Sequence, residues 1–214
     1  MSQHPSAINQ PFTGSSVVIT GGAGDIGLAT AIHLGHQGAQ IGLLDIDATK
    51  LAAAAQRLRD QGITCATAEC NVTESSQVEA ALARFVEQFG VINCLFNNVG
   101  YQGDFAPVHN YELEDFSRVM SINVTGAFIV LKTFAQHMIV QGGGAIVNTA
   151  SMAALGGPPN MIAYATSKAA LLGMTLTAAK DLAPHNIRVN AISPAYMGPG
   201  FMWTRQVELQ AAAG

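Results

Sequence analysis

Strand-like and helix-like stretches alternate six times along this chain, separated by short glycine-marked turns, and that order restricts the fold more than any other feature. Residues 16–20 (SVVIT) form a β-branched run that ends in glycines. A helical pattern follows, with Ile26, Ala29, Ile32 and Leu34 spaced for one face and Gly38 placed as its C′ glycine. The same alternation recurs as strand 40–45 with helix 48–61, strand 64–69 with helix 74–89, and strand 93–97 with helix 112–138. Strand 145–149, helix 162–182 and strand 187–192 complete it. Such an order predicts βαβ units, hence a doubly wound, Rossmann-like parallel sheet with helices on both faces. No long linker or low-complexity tract divides the 214 residues, so residues 1–214 read as one α/β domain, with 1–14 an N-terminal arm.

Ligands of such sheets bind beyond the carboxyl ends of the strands, near the point where strand order reverses. The candidate residues therefore follow the strands: Gly21 to Gly27, Asp45, Asn71 and Val72, Asn97 to Gly100, Ser151 and Pro194. Thr20 to Gly27 reads TGGAGDIG. Gly21, Gly24 and Gly27 let the backbone approach a pyrophosphate, while the helix opening at Asp25 and Ile26 offers unpaired N–H groups. Asp45, at the end of the second strand, can accept hydrogen bonds from ribose hydroxyls and would repel a 2′-phosphate. With no Arg or Lys among Gly22, Ala23, Gly24 or Ile46, NAD is predicted over NADP.

Tyr164 and Lys168 are four residues apart on a predicted helix and so project from one face. An ammonium held there favours the phenolate, so the pattern predicts a tyrosine that exchanges protons nearer neutrality than its ordinary pKa of ~10. Ser151, thirteen residues upstream, can place a hydroxyl beside that phenol. Taken alone, Tyr-x-x-x-Lys is equally the spacing of a packed tyrosine and a solvated lysine.

Together these motifs resemble the short-chain dehydrogenase/reductase family, from about Ser15 to Pro194. The turn matches at Thr20 to Gly27, NNVG at Asn97 to Gly100 stands for the family's NNAG, and Asn123 lies in SINVTG. Ser151 matches the family's serine, Tyr164 and Lys168 its YxxxK, and IRVNAISP ends at Pro194. The resemblance implies that Tyr164 is the general acid/base and that Ser151 polarises the substrate oxygen. It implies that Lys168 lowers the tyrosine pKa and binds the nicotinamide ribose, and that Asn123 holds a water linking Lys168 to solvent. The implied reaction is hydride transfer between NAD(H) and a secondary alcohol or ketone.

Four departures stand out. Asp25 occupies the middle glycine of the turn, where a carboxylate weakens pyrophosphate binding unless it points away. Asn71 stands where the family usually has an aspartate near adenine. Ala195 replaces a glycine, and Pro199 falls where a threonine often holds the nicotinamide carboxamide, with Thr204 a possible substitute. Finally, the sequence stops at AAAG, short of the family's seventh strand, leaving 195–214 as a partial substrate region. It reads either as a piece of a longer chain or as a natural truncation.

Met152 to Leu155, Pro158, Pro159, Met161, Tyr196, Met197, Phe201, Met202 and Trp203, with Tyr101 and Phe105, surround the catalytic group in sequence. That lining predicts an apolar or cyclic alcohol or ketone, although the same residues also suit core or subunit contacts. Only 11% of residues are charged, against about 25% in typical soluble domains, which predicts burial between copies in a homodimer or homotetramer. Leu171, Leu172, Met174, Leu176 and Ala178 are too dense for one core-facing stripe, and in the resembled family the helices at 112–138 and 162–182 commonly pack in such an interface. A net charge of −4 without a basic patch argues against nucleic acid. Contiguous apolar runs are short and no secretory signal is evident, so neither a membrane nor export is expected. Cys65, Cys70 and Cys94 read as reduced thiols of a cytoplasmic protein, and no metal spacing is present. The competing readings are a non-catalytic NAD-binding scaffold, and an epimerase or dehydratase on a related fold.

Overall fold

The computed structural model describes residues 10–198 together with 204, 207, 208 and 211. Strands β1 (Ser16–Thr20), β2 (Gln40–Asp45), β3 (Cys65–Glu69), β4 (Cys94–Asn97), β5 (Gly144–Thr149) and β6 (Ile187–Ile192) form one sheet. Their order is β3-β2-β1-β4-β5-β6, and every neighbouring pair is parallel. The order therefore reverses between β1 and β4, where Val17 pairs with Cys94 and Ile19 with Phe96. A cleft opens beyond that junction because the connections leave the two strands in opposite directions.

Alternation within β1 explains the two layers. Val17 and Ile19 join Ile41, Leu43 and Phe96 on one face, covered by Ala31 of α1 (Asp25–His36) and by Leu51, Ala54 and Leu58 of α2 (Ala48–Arg59). Val18 points the other way, with Leu44, Leu95 and Ile146. That face is covered by Phe85 of α3 (Ser75–Phe89) and by Val130, Phe134 and Met138 of α5 (Ala127–Gln141). Phe85, Phe134, Ile19 and Leu43 are fully buried, each contributing about 1.5–3 kcal/mol by leaving water. The predicted doubly wound sheet is thus present, and its strand ends match the expected ones within a residue.

The long predicted helix at 112–138 is three pieces on one axis. Leu113–Met120 (α4) and α5 are joined by a wider π-helical turn, Ser121–Gly126, which carries Asn123. By length and composition alone, Leu113–Gln141 is apolar enough to cross a bilayer, a property hidden from a search for unbroken apolar runs. Val130, Phe134, Ala135 and Met138 instead cover the sheet, while Phe128, Ile139 and Val140 are exposed. A short helix, α6 (Ala153–Gly156), was not evident from the sequence. It lies between β5 and α7 (Ile162–Leu182), where the periodicity is broken by glycine and proline.

Candidate active site

Lys168 lies two turns into α7 and is 2% exposed. Its Nζ donates to the Thr149 carbonyl oxygen at 2.7 Å, at the end of β5. Burial lowers its pKa to about 8, because a low-dielectric site disfavours the ammonium. The same Nζ lies 5.7 Å from the centroid of the Tyr164 ring. Tyr164 and Lys168 do share a face, and Ser151, which follows β5, lies close enough to the Tyr164 phenol to act against the rise in its pKa.

The phenol differs from the sequence expectation. Burial raises the Tyr164 pKa, and Ser151 only partly opposes that rise. The reason is geometric: the Lys168 ammonium donates to the Thr149 carbonyl, while burial of the phenol sets the direction of its shift. Ser151 also accepts a bond from the Ala153 N–H at 3.1 Å, which fixes its Oγ at the mouth of α6.

Asn123 is fully buried, and both ends of its amide are engaged. Its Oδ1 accepts from the Tyr101 N–H at 2.7 Å, while Nδ2 donates to the Tyr101 carbonyl at 2.8 Å and to Ser167 Oγ at 2.9 Å. The side chain thus clamps the loop after β4 to the helix one residue before Lys168. Oδ1 keeps a second lone pair, so the clamp leaves Asn123 able to hold a water.

Several expected cofactor residues point inward. Asn97 Nδ2 bonds the Ala127 carbonyl at 2.9 Å and Asn148 Oδ1 at 3.1 Å, and Asn148 continues to Thr175 at 2.9 Å. This buried chain ties β4, β5, α5 and α7 together behind the cleft. The Val72 side chain is likewise core, packed with Val78 and Val130. Asn71 Oδ1 accepts from the Thr73 N–H at 3.1 Å and from its hydroxyl at 2.9 Å.

The remaining candidates line the cleft edge. A Cβ on Gly100 would fall 3.2 Å from Lys168 Nζ, so glycine there keeps the lysine's site open. Gly21 has φ +62°, and a Cβ on Gly27 would collide with the Gly21 carbonyl, which explains the glycines of this turn. Gly24 is the N-cap of α1 and supplies no side-chain cap. Asp25 is exposed in the first helical turn, where its charge complements the helix dipole, and it does not require left-handed angles. Asp45 Oδ2 accepts from the Ala23 N–H at 3.1 Å and Oδ1 from the Asp47 N–H at 3.2 Å, holding the acid against the turn. An open helix start, a turn that admits no Cβ and an adjoining carboxylate fit a dinucleotide's pyrophosphate and ribose.

A cavity of about 350 Å³ joins these parts. Ile26, Thr149, Ser151, Tyr164 and Pro194 line it together with Met152, Ala153, Pro158, Met161, Tyr196 and Met197. Leu155, expected in the lining, is instead exposed, and Pro159, Tyr101 and Phe105 lie outside the lining. Pro199, Phe201, Met202 and Trp203 fall outside the described residues. Gln102 also lines the cavity, and nothing in its spacing marked it beforehand.

Residues 15–209 match the family model for short chain dehydrogenases. The chain belongs to the short chain dehydrogenase family. It is thus an oxidoreductase acting on CH–OH groups. Among relatives of this short chain dehydrogenase, levodione reductase of Leifsonia aquatica is 35% identical over 199 residues, covering 92% of this chain and 73% of that protein. The 3-hydroxyacyl-CoA dehydrogenase type-2 of Rattus norvegicus is 40% identical over 202 residues, covering 89% and 76%. The crystal structure of an NAD+-bound xylitol dehydrogenase superposes with a TM-score of 0.93 at 55% identity, covering 95% of this chain and 78% of that one.

Proposed function

We propose that this short chain dehydrogenase interconverts a small secondary alcohol and its ketone, using Tyr164 to move the proton on the substrate oxygen. The Ser151–Tyr164 pair on the cavity wall, with buried Lys168 beside it, carries the reading. NAD is the cofactor, held along Gly21, Gly24, Gly27 and Asp45. When bound, its nicotinamide supplies the hydride acceptor for oxidation and the donor for reduction.

The chain's own residues divide the remaining work. A phenol raised by burial is protonated at neutral pH, so Tyr164 can give its proton to a ketone oxygen as that oxygen gains negative charge. In the oxidising direction the phenolate must form first, and Ser151 favours it. Ser151 has one hydroxyl proton, and it polarises the reacting oxygen when that proton turns from Tyr164 to the substrate. Lys168 adds positive charge beside the Tyr164 ring and, at a pKa of about 8, remains mostly charged at neutral pH. The apolar wall from Met152 to Met197 excludes water and packs the substrate's carbon skeleton. Likeness to an enzyme of xylitol favours, as a second reading, a polyol over a purely apolar alcohol. Three intact catalytic groups support turnover over a non-catalytic scaffold.

The chain works as a homodimer or homotetramer through the groove between α5 and α7, where Phe128, Leu131, Ile139 and Met174 leave apolar surface. Leu176, elsewhere on α7, is 66% exposed as well. The free thiols of Cys65, Cys70 and Cys94 support a cytoplasmic setting. Tyr164→Phe tests the chemistry: NADH formation from a secondary alcohol should fall at least about a thousandfold, with NAD affinity nearly unchanged. A Tyr164→Phe enzyme of wild-type rate would refute the mechanism.

A further inference from the structure

Gln102 is 3% exposed, yet among the described residues its Oε1 has no hydrogen-bond partner. A buried amide oxygen left unpaired destabilises a fold unless a ligand completes it. The position is also not loose. On one side, the Tyr101 N–H and carbonyl are both held by Asn123, and the Tyr101 hydroxyl bonds Asp115 at 3.3 Å. On the other, the Asp104 N–H bonds the same carboxylate at 2.8 Å, which also receives the Tyr111 hydroxyl at 2.6 Å. The Arg118 guanidinium closes over the Tyr101 ring at 4.7 Å. The backbone on both sides of Gln102 is thus held, and the residue lies on the wall of the cavity that holds Ser151 and Tyr164.

We propose that Gln102 reads a second hydroxyl of the substrate, next to the carbon that reacts, and so selects polyols and vicinal diols over mono-alcohols. Ser151 and Tyr164 engage the reacting oxygen, and the rest of the lining is largely apolar, which leaves Gln102 as the unpaired acceptor for another O–H. This rests on the proposed alcohol dehydrogenase activity and adds its specificity. A site built to bond a hydroxyl discriminates against analogues that lack one, because its own polar group is then stranded.

The test compares wild type and Gln102→Leu, with NAD, on xylitol, trans-cyclohexane-1,2-diol and cyclohexanol. The variant should lose about tenfold in kcat/KM on the two hydroxyl-rich substrates and lose nothing on cyclohexanol. NADH affinity, followed by fluorescence, should not change, and the melting temperature should not fall, since an unpaired buried amide has been removed. An equal loss on all three substrates with weaker NADH binding would assign the amide to the cofactor and overturn the proposal. So would unchanged kinetics on every substrate. A wild-type enzyme inert toward all three would refute the proposed substrate class itself, and this selectivity with it.

Discussion

Replacing Lys168 by methionine should disable the enzyme and stabilise the protein. Burial lowers the lysine pKa from an ordinary 10.5 to about 8, worth about 3 kcal/mol against the folded state at neutral pH. At 2% exposure, solvent does not screen that penalty away. The substitution also removes the 2.7 Å bond to the Thr149 carbonyl, a charge-assisted contact worth about 1.5–2 kcal/mol. The difference leaves Lys168→Met more stable by about 1 kcal/mol at pH 7, or about 2–4 °C in Tm for a chain of this size. The pH dependence fixes the cause. Between pH 8 and 10.5 the unfolded lysine binds more proton than the folded one, so wild-type stability rises with pH across that window. The variant lacks this rise, and its advantage should shrink and then reverse by pH 10.5. Urea unfolding of the cofactor-free proteins at pH 7, 9 and 10.5 measures it, and other titrating groups cancel in the difference. A variant less stable at pH 7, or a difference independent of pH, would refute the reasoning.

Other outcomes follow from the same geometry. Spectroscopic titration of the cofactor-free protein, with Tyr164→Phe as reference, should assign to Tyr164 a phenol that ionises above pH 10, as its burial requires; ionisation near pH 7 would restore the lysine-lowered phenol. Asp45→Ala should weaken NAD about tenfold and narrow its preference over NADP, read from kcat/KM with both cofactors, because ribose bonds and phosphate repulsion disappear together. Phe128→Glu places a charge in the groove between α5 and α7 and should reduce the mass seen by light scattering to that of a monomer; an unchanged mass would move the interface elsewhere.

Much of this was legible in the sequence because strand ends and catalytic residues carry local signals. Glycines that admit no Cβ at the β1–α1 turn, and a Tyr–Lys pair one helical turn apart, are constraints written in adjacent residues. The inward turn of the Asn97 side chain was not legible, because a polar side chain at a strand end can face the cleft or the interior. Its partners Ala127 and Asn148 lie 30 and 51 residues away, so only the fold reveals the choice. Gln102 was missed for the reverse reason. It belongs to no period, and its meaning arises from an unmade bond in a loop held by Asn123 and Asp115.

The direction of the Tyr164 shift is the more instructive difference. Tyr-x-x-x-Lys fixes proximity but not the orientation of the ammonium, and proximity alone suggested a lowered phenol pKa. In the fold, Lys168 is bonded to Thr149, and burial acts on both partners at once, raising the phenol and lowering the ammonium. Two groups that began near 10.0 and 10.5 are thereby moved in opposite directions, with the lysine now the weaker base. Proton release from Tyr164 thus depends on stabilising the phenolate through Ser151 and on keeping Lys168 charged. Lowering the dielectric at the site strengthens both interactions but also increases the cost of each charge. The pair therefore favours the protonated phenol until a substrate oxygen arrives that can exchange its proton with Tyr164.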